Sequence, residues 1–190
     1  MDDLDIDLGI CRVRPLRTAD AEGLARHADD REVSIQLRDG FPSPYTLADA
    51  QGWLELVVAA RPATDFAIEV EGEAAGAVGL IPGEARSAEV GYWLGRRCWG
   101  RGIATAAVRA LSAHAFDRFD LDRLRASVFA GNAASVRVLE KAGYAREGLD
   151  RAAAFKDGRT IDLLRFGLAR GDHRPGPNSS TDEPRGGTGR

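Results

Sequence analysis

The chain is short of most features that would class it at a glance. It has only two cysteines in 190 residues, Cys11 and Cys98, with neither CxxC nor zinc-ligand spacing. That excludes a disulfide framework and leaves no thiolate cluster for a metal, so no metal is expected. No apolar run is long enough to span a bilayer, and no membrane association is expected. The opening MDDLDIDLGI is acidic where a secretory leader is basic, which makes the cytoplasm the expected location. Charge of one sign is lacking as well. With 26 basic and 29 acidic residues the net charge is −3, so nothing favours nucleic-acid binding, which needs a concentrated basic face. What is present is a hydrophobic fraction of 44%, ordinary for one globular domain with a full core.

Residues 1–10 read as a flexible arm, 11–170 as the domain, and 171–190 as a disordered tail. The tail, GDHRPGPNSSTDEPRGGTGR, has no large apolar residue whose burial could offset the entropy of ordering it. Within the domain, CRVRPL is a short strand, Thr18 or Asp20 caps a helix through Ala28, and Thr46 caps a second helix. In that helix Leu47, Ala50, Leu54, Val57 and Val58 share a face. The period then changes to two. Phe66, Ile68 and Val70 alternate, EGEA turns the chain into AAGAVGLI, and AEVGYWL follows. A helix from Ile103 buries Ala107, Leu111, Ala115 and Phe119. RLRASVF is a strand, and the helix from Ala133 stops at Gly143. Two last strands, 144–154 and 160–169, are joined by KDGR. The order predicts a mixed α/β domain with helices on both faces of one sheet.

Chemistry concentrates in RRCWGRGIAT, between a strand ending at Leu94 and the helix that follows. Gly100 and Gly102 remove side chains at the turn, so backbone can approach a ligand closely. The first amides of the helix lack acceptors and lie at the positive end of its dipole, which suits a phosphate. Arg96, Arg97 and Arg101 add positive charge. A dinucleotide fold would need an acidic residue at the end of the next strand, but Asp120 and Asp122 lie before it. A P-loop would need Lys-Ser or Lys-Thr after the glycines. A tight turn packing helix on sheet is the plain structural alternative.

Arg97-x-x-Gly100-x-Gly102 followed by Ala104 resembles the pyrophosphate-binding signature of the Gcn5-related N-acetyltransferases (GNAT). GYWLG, GNAASVRVLEKAGYAREG, FPSPYT and KDGRTIDLLRFGL resemble its RimJ/RimL-like branch, and the likeness runs from about Arg12 to Arg170. The resemblance implies a GNAT-type, mostly antiparallel mixed sheet whose middle strands, AEVGYWL and RLRASVF, splay into an acyl-CoA cleft. It implies acetyl-CoA as acyl donor and an amine acceptor, most simply a protein N-terminal α-amine, in a monomer or homodimer. A small-molecule or antibiotic amine, or a binding module without turnover, are the alternatives.

The resemblance also assigns residues. The pantetheine arm would pair with backbone at Trp93 and Leu94, and the pyrophosphate would rest on the segment Arg97, Cys98, Gly100, Arg101, Gly102, Ile103 and Ala104. Asn132 and Ser135 would contact the pantetheine and the thioester end. Each has a plainer reading. Asn132 is a good N-cap, Arg97 a solvated cation, and Tyr92 and Trp93 ordinary residues of a half-buried strand. Cys98 beside a helix N-terminus invites a nucleophile, but the family transfers the acyl group directly. Leu139 stands where many members carry a tyrosine acid, which leaves Ser135 as donor to the departing sulfur. Glu89, on the face of Gly91 and Trp93, is either a base for the amine or a strand-edge carboxylate bonded to a loop.

Overall fold

The computed structural model describes residues 4–173. Eight strands form one sheet in the order β1-β2-β3-β4-β5-β6-β8-β7. They are β1 (Ile6–Asp7), β2 (Arg12–Pro15), β3 (Asp65–Val70), β4 (Glu73–Pro82), β5 (Ser87–Leu94), β6 (Arg123–Phe129), β7 (Ala145–Lys156) and β8 (Arg159–Ala169). Every neighbouring pair is antiparallel except β5 and β6. The helices are α1 (Ala21–Ala28), the single turn α2 (Arg31–Ser34), α3 (Leu47–Ala59), α4 (Ile103–Arg118) and α5 (Ala133–Lys141).

Alternation on the central strands sorts side chains into two cores. On one face α4 lays Ile103, Ala107, Val108, Leu111 and Ala115 against Phe66, Ile68, Val78, Val90 and Leu124. On the other, α1 and α3 bring Leu24, Ala28, Ala50 and Leu54 against Ala67 and Ala74. Removing each fully buried Leu or Phe side chain from water is worth about 1.5–3 kcal/mol, so both layers are anchored by burial. Leu47, expected on the buried face of α3, is 43% exposed because it opens the helix ahead of the contact zone.

The caps expected at Thr46 and Gly143 form, whereas Asp20 stands at the N-cap of α1 without capping it, because its carboxylate accepts from the Arg14 guanidinium and from Arg17 N instead. The Thr46 side chain accepts from Asp49 N while the Asp49 carboxylate accepts from Thr46 N, a reciprocal capping box. Gly143 ends α5 at φ +97, with Tyr144 N donating to Leu139 O. Gly76, inside β4, serves packing: a Cβ there would lie 2.9 Å from Leu94 Cα and closer still to Trp93 O. The backbones of β4 and β5 therefore touch where β5 becomes the wall of the site.

Two boundaries differ from the sequence reading. The arm is not loose throughout: Ile6 pairs with Val13 and Asp7 with Arg12, while Leu4 is buried. The acidic residues hid this, because an edge strand needs backbone partners more than an apolar pattern. The proposed tail begins ordered too. Arg170–Asp172 form a 3₁₀ turn and the His173 ring lies 5.4 Å from that of Phe116; residues 174–190 lie outside the described region.

Candidate active site

The site is made by two strands that part company. β5 and β6 pair only at Ser87↔Arg123, Ala88↔Leu124 and Glu89↔Arg125. Beyond Glu89 the next five residues of β5 have no partner on that side. At about 3.3 Å per residue this opens a gap roughly 16 Å deep. A cavity of about 590 Å³ fills the gap, with β5 as one wall, Ala126–Phe129 of β6 as the other and α5 alongside.

At one end of the cavity the chain enters α4. Gly100 and Gly102 have φ +75 and +80, the left-handed region that other residues adopt only at a cost. Gly102 is the N-cap of α4 and supplies no side-chain acceptor. The first intrahelical bond to it comes from Ala106 N, 3.1 Å from Gly102 O, so the amides of Ile103, Ala104 and Thr105 have no acceptor within the helix. A Cβ on Gly100 would meet nothing within 4 Å, and on Gly102 only Ile10 Cδ1 at 4.0 Å. Exposed amides, a helix dipole and open space above them suit a phosphate.

Of the residues singled out in the sequence, Glu89, Trp93, Leu94, Cys98, Gly100, Gly102, Ile103, Ala104, Asn132 and Ser135 all line this one cavity. Arg97 and Arg101 do not. The expected cationic ring is in fact dispersed: Arg96 pairs with Asp30 at 2.8 Å and Arg101 with Glu71 at 3.3 Å, while Arg97 is exposed with no ion-pair partner among the described residues. The basic side chains lining the cavity are Arg38, Arg137 and Lys141, contributed by elements far from the glycine turn in sequence. Cys98 is buried, and burial pushes its thiol up, which removes the acidified nucleophile that its position suggested.

Asn132 does cap α5: its Oδ1 accepts from Ser135 N at 2.9 Å. Because that bond engages only the oxygen, the amide NH₂ remains a donor beside the cavity, and the two readings of this residue coexist. The Ser135 hydroxyl has no hydrogen-bond partner among the described residues. Glu89 sits at the fork of the strands, where its Oε1 accepts from Arg38 Nη2 at 3.3 Å, a loop contact of the kind its structural reading required. Trp93 packs edge-on against Phe41 at 5.7 Å in the α1/α3 layer.

Two features of the wall carry no sequence signal. Trp99 folds back so that its indole N–H donates to Leu94 O at 2.7 Å, occupying one lone pair of a carbonyl expected to face a ligand. Tyr92 points to the opposite face from Trp93 and donates from its hydroxyl to Ser135 O at 3.3 Å. A periodic pattern places Tyr92 on the core face but does not reveal that its polar end reaches α5.

Comparison with known proteins gives a consistent picture. The family model described as "Acetyltransferase (GNAT) domain" matches residues 11–145. The uncharacterized N-acetyltransferase p20 of Bacillus licheniformis is 30% identical over 169 residues, 85% of this chain and 93% of that protein. Four Bacillus subtilis relatives match over shorter stretches, each under half of its own length. Among solved structures, Mycobacterium smegmatis RimJ in complex with CoA-disulfide superimposes with TM-score 0.76 at 29% identity, covering 85% of this chain and 82% of that one. RimL, the ribosomal L7/L12 α-N-protein acetyltransferase, solved with coenzyme A, gives TM-score 0.76 at 19% identity over 87% and 97% of the two chains. Among the described residues no helix is long and apolar enough to cross a membrane.

Proposed function

This chain belongs to the GNAT acetyltransferase family, and from that premise we propose that its acceptor is the α-amine of a protein N-terminus. It is an N-acetyltransferase and acetyl-CoA is its donor substrate. The acceptor reading is carried by the shared fold of RimL, named for acetylating a protein α-amine, together with the RimJ likeness at 29% identity.

In this proposal the pyrophosphate rests on the amides of Ile103–Thr105, with Gly100 and Gly102 keeping the approach clear. The pantetheine arm runs between β5 and β6 and pairs with backbone at Trp93. Leu94 O, already holding the Trp99 indole, has one lone pair left for it. Asn132 donates its amide to the arm, and the acetyl group lies near Ser135. Arg97 and Arg101 act at most as long-range charge, while Arg137 and Lys141 line the cavity. A neutral amine attacks the thioester carbonyl carbon, which forms the C–N bond and a tetrahedral oxyanion. The nitrogen gives its extra proton to the Glu89 side or to water, and collapse re-forms C=O and breaks C–S, the electron pair leaving on sulfur. Holding both reactants together supplies most of the acceleration, with backbone amides aimed at the oxyanion.

One observation favours a second acceptor. Arg38 and Glu89 place a cation and a carboxylate 3.3 Å apart on the cavity wall, a pair complementary to the zwitterion of a free amino acid. A panel of an alanyl-initiated peptide, the same peptide N-terminally blocked, free alanine and a polyamine separates the readings. Acetylation of the free peptide alone is the expected result. Transfer to alanine in preference to the peptide would replace the proposal with the second reading.

A further inference from the structure

We propose that Tyr92 is a second hydrogen-bond donor, alongside Ser135, to the sulfur that departs when the acetyl group is transferred. This rests on the reading of the β5/β6 gap as the acyl-CoA cleft.

The placement follows from strand geometry. Glu89 and Trp93 lie on one face of β5, where Arg38 and Phe41 come from the same loop. Tyr92 lies on the other face, packed against the α4/α5 core and reaching Ser135 on α5. Along the strand, Tyr92 stands about 10 Å beyond the last paired residue, Glu89. The incoming amine approaches one face of the planar thioester while the sulfur lies in its plane, so the two are served by polar groups from different directions. The carboxylate on one face of β5 and the two hydroxyls on the other match that demand.

The hydroxyl is held ready. It donates to the backbone carbonyl of Ser135, and both residues line the cavity. Rotation about the phenol C–O bond redirects the same proton from a backbone carbonyl toward sulfur without moving the ring. Leu139, fully buried on the next turn of α5, brings no polar atom to compete. Burial pushes the phenol up to about 12, against the hydrogen bond with Ser135. A thiol near 8.5 does not draw a proton from such a group, so Tyr92 keeps its proton and donates only a hydrogen bond. The electron pair of the broken C–S bond stays on sulfur as thiolate, and the amine proton passes toward the Glu89 side or to water. The thiolate is protonated by solvent after release, and no other reactant is needed.

The test uses the full chain with coenzyme A as probe. The ultraviolet absorbance of the bound thiolate, followed against pH, reports the pKa of the CoA thiol in the cleft. In Tyr92→Phe its ionisation constant should fall by about 3- to 10-fold, the scale of one lost hydrogen bond to a charged group. CoA affinity and melting temperature should stay near wild type. Single-turnover acetyl transfer to the best amine of the panel should slow by a similar factor with KM for acetyl-CoA unmoved, and Ser135→Ala should shift the bound thiol in the same direction. An unchanged bound-thiol pKa in a folded Tyr92→Phe protein that binds CoA overturns the role of Tyr92 alone. Failure of the wild-type chain to bind CoA overturns the cleft reading beneath it.

Discussion

At the scale of single residues, the reaction turns on where charge is tolerated. Glu89, half-buried, is held at the fork by the exposed Arg38, so the contact is worth little as a stability term and leaves the carboxylate available to an amine. An α-amine has a reference pKa of about 7.7–8.0, so at pH 7 most of it is protonated and a base helps. As pH rises past that value the neutral fraction approaches one and the base becomes dispensable. Glu89→Gln should therefore slow transfer at pH 7 and recover part of the loss by pH 9. Rate–pH curves that overlay would leave Glu89 as a partner of Arg38 and nothing more. Strand alternation flagged Glu89, by placing it on the face of Gly91 and Trp93, whereas Ser135 was flagged only by the family resemblance. Neither gave a sign of Arg38, which lies 51 residues away and meets Glu89 only when the α2–α3 loop closes over the sheet.

At the scale of elements, α4 was the most legible piece. Its buried side at steps of four and its glycine entry both appear in the structure, because helix period and positive φ are local properties. Gly102→Val tests the entry. The space at Gly102 is open, so the folding cost is that of a β-branched residue at φ +80, about 1–2 kcal/mol. The added side chain would stand over the amides of Ile103 and Ala104, and CoA affinity measured by calorimetry should fall at least about tenfold, more than the folding loss explains. Equal affinity in a folded variant would remove phosphate binding from this turn. The neighbouring arginines show the limit of local reading. Three cations within six residues look like one patch, yet their side chains leave the turn in different directions, and two are claimed by Asp30 and Glu71.

For the whole molecule, the gap joins two halves of a sheet that touch through three residue pairs at its closed end. A ligand lying along both walls should stabilise the fold as a unit. At 100 times its dissociation constant, CoA adds about 2.7 kcal/mol, and for a chain of this size that raises the melting temperature by roughly 5–10 °C. NAD at the same concentration should leave it unchanged; a shift by NAD in place of CoA would reopen the dinucleotide alternative. By itself the sequence determined the order of the strands from β2 onward and of the four longer helices, the caps at Thr46, Asn132 and Gly143, and the anion-suited turn, since each depends on side chains within a few positions of one another. Only the tertiary structure decided that β5 and β6 separate after Glu89, that Arg137 and Lys141 replace Arg97 and Arg101 on the cavity wall, and that Tyr92 meets Ser135. Those facts depend on how two strands of one twisted sheet, remote in sequence, are held by the helices packed against them, and no local pattern encodes that distance.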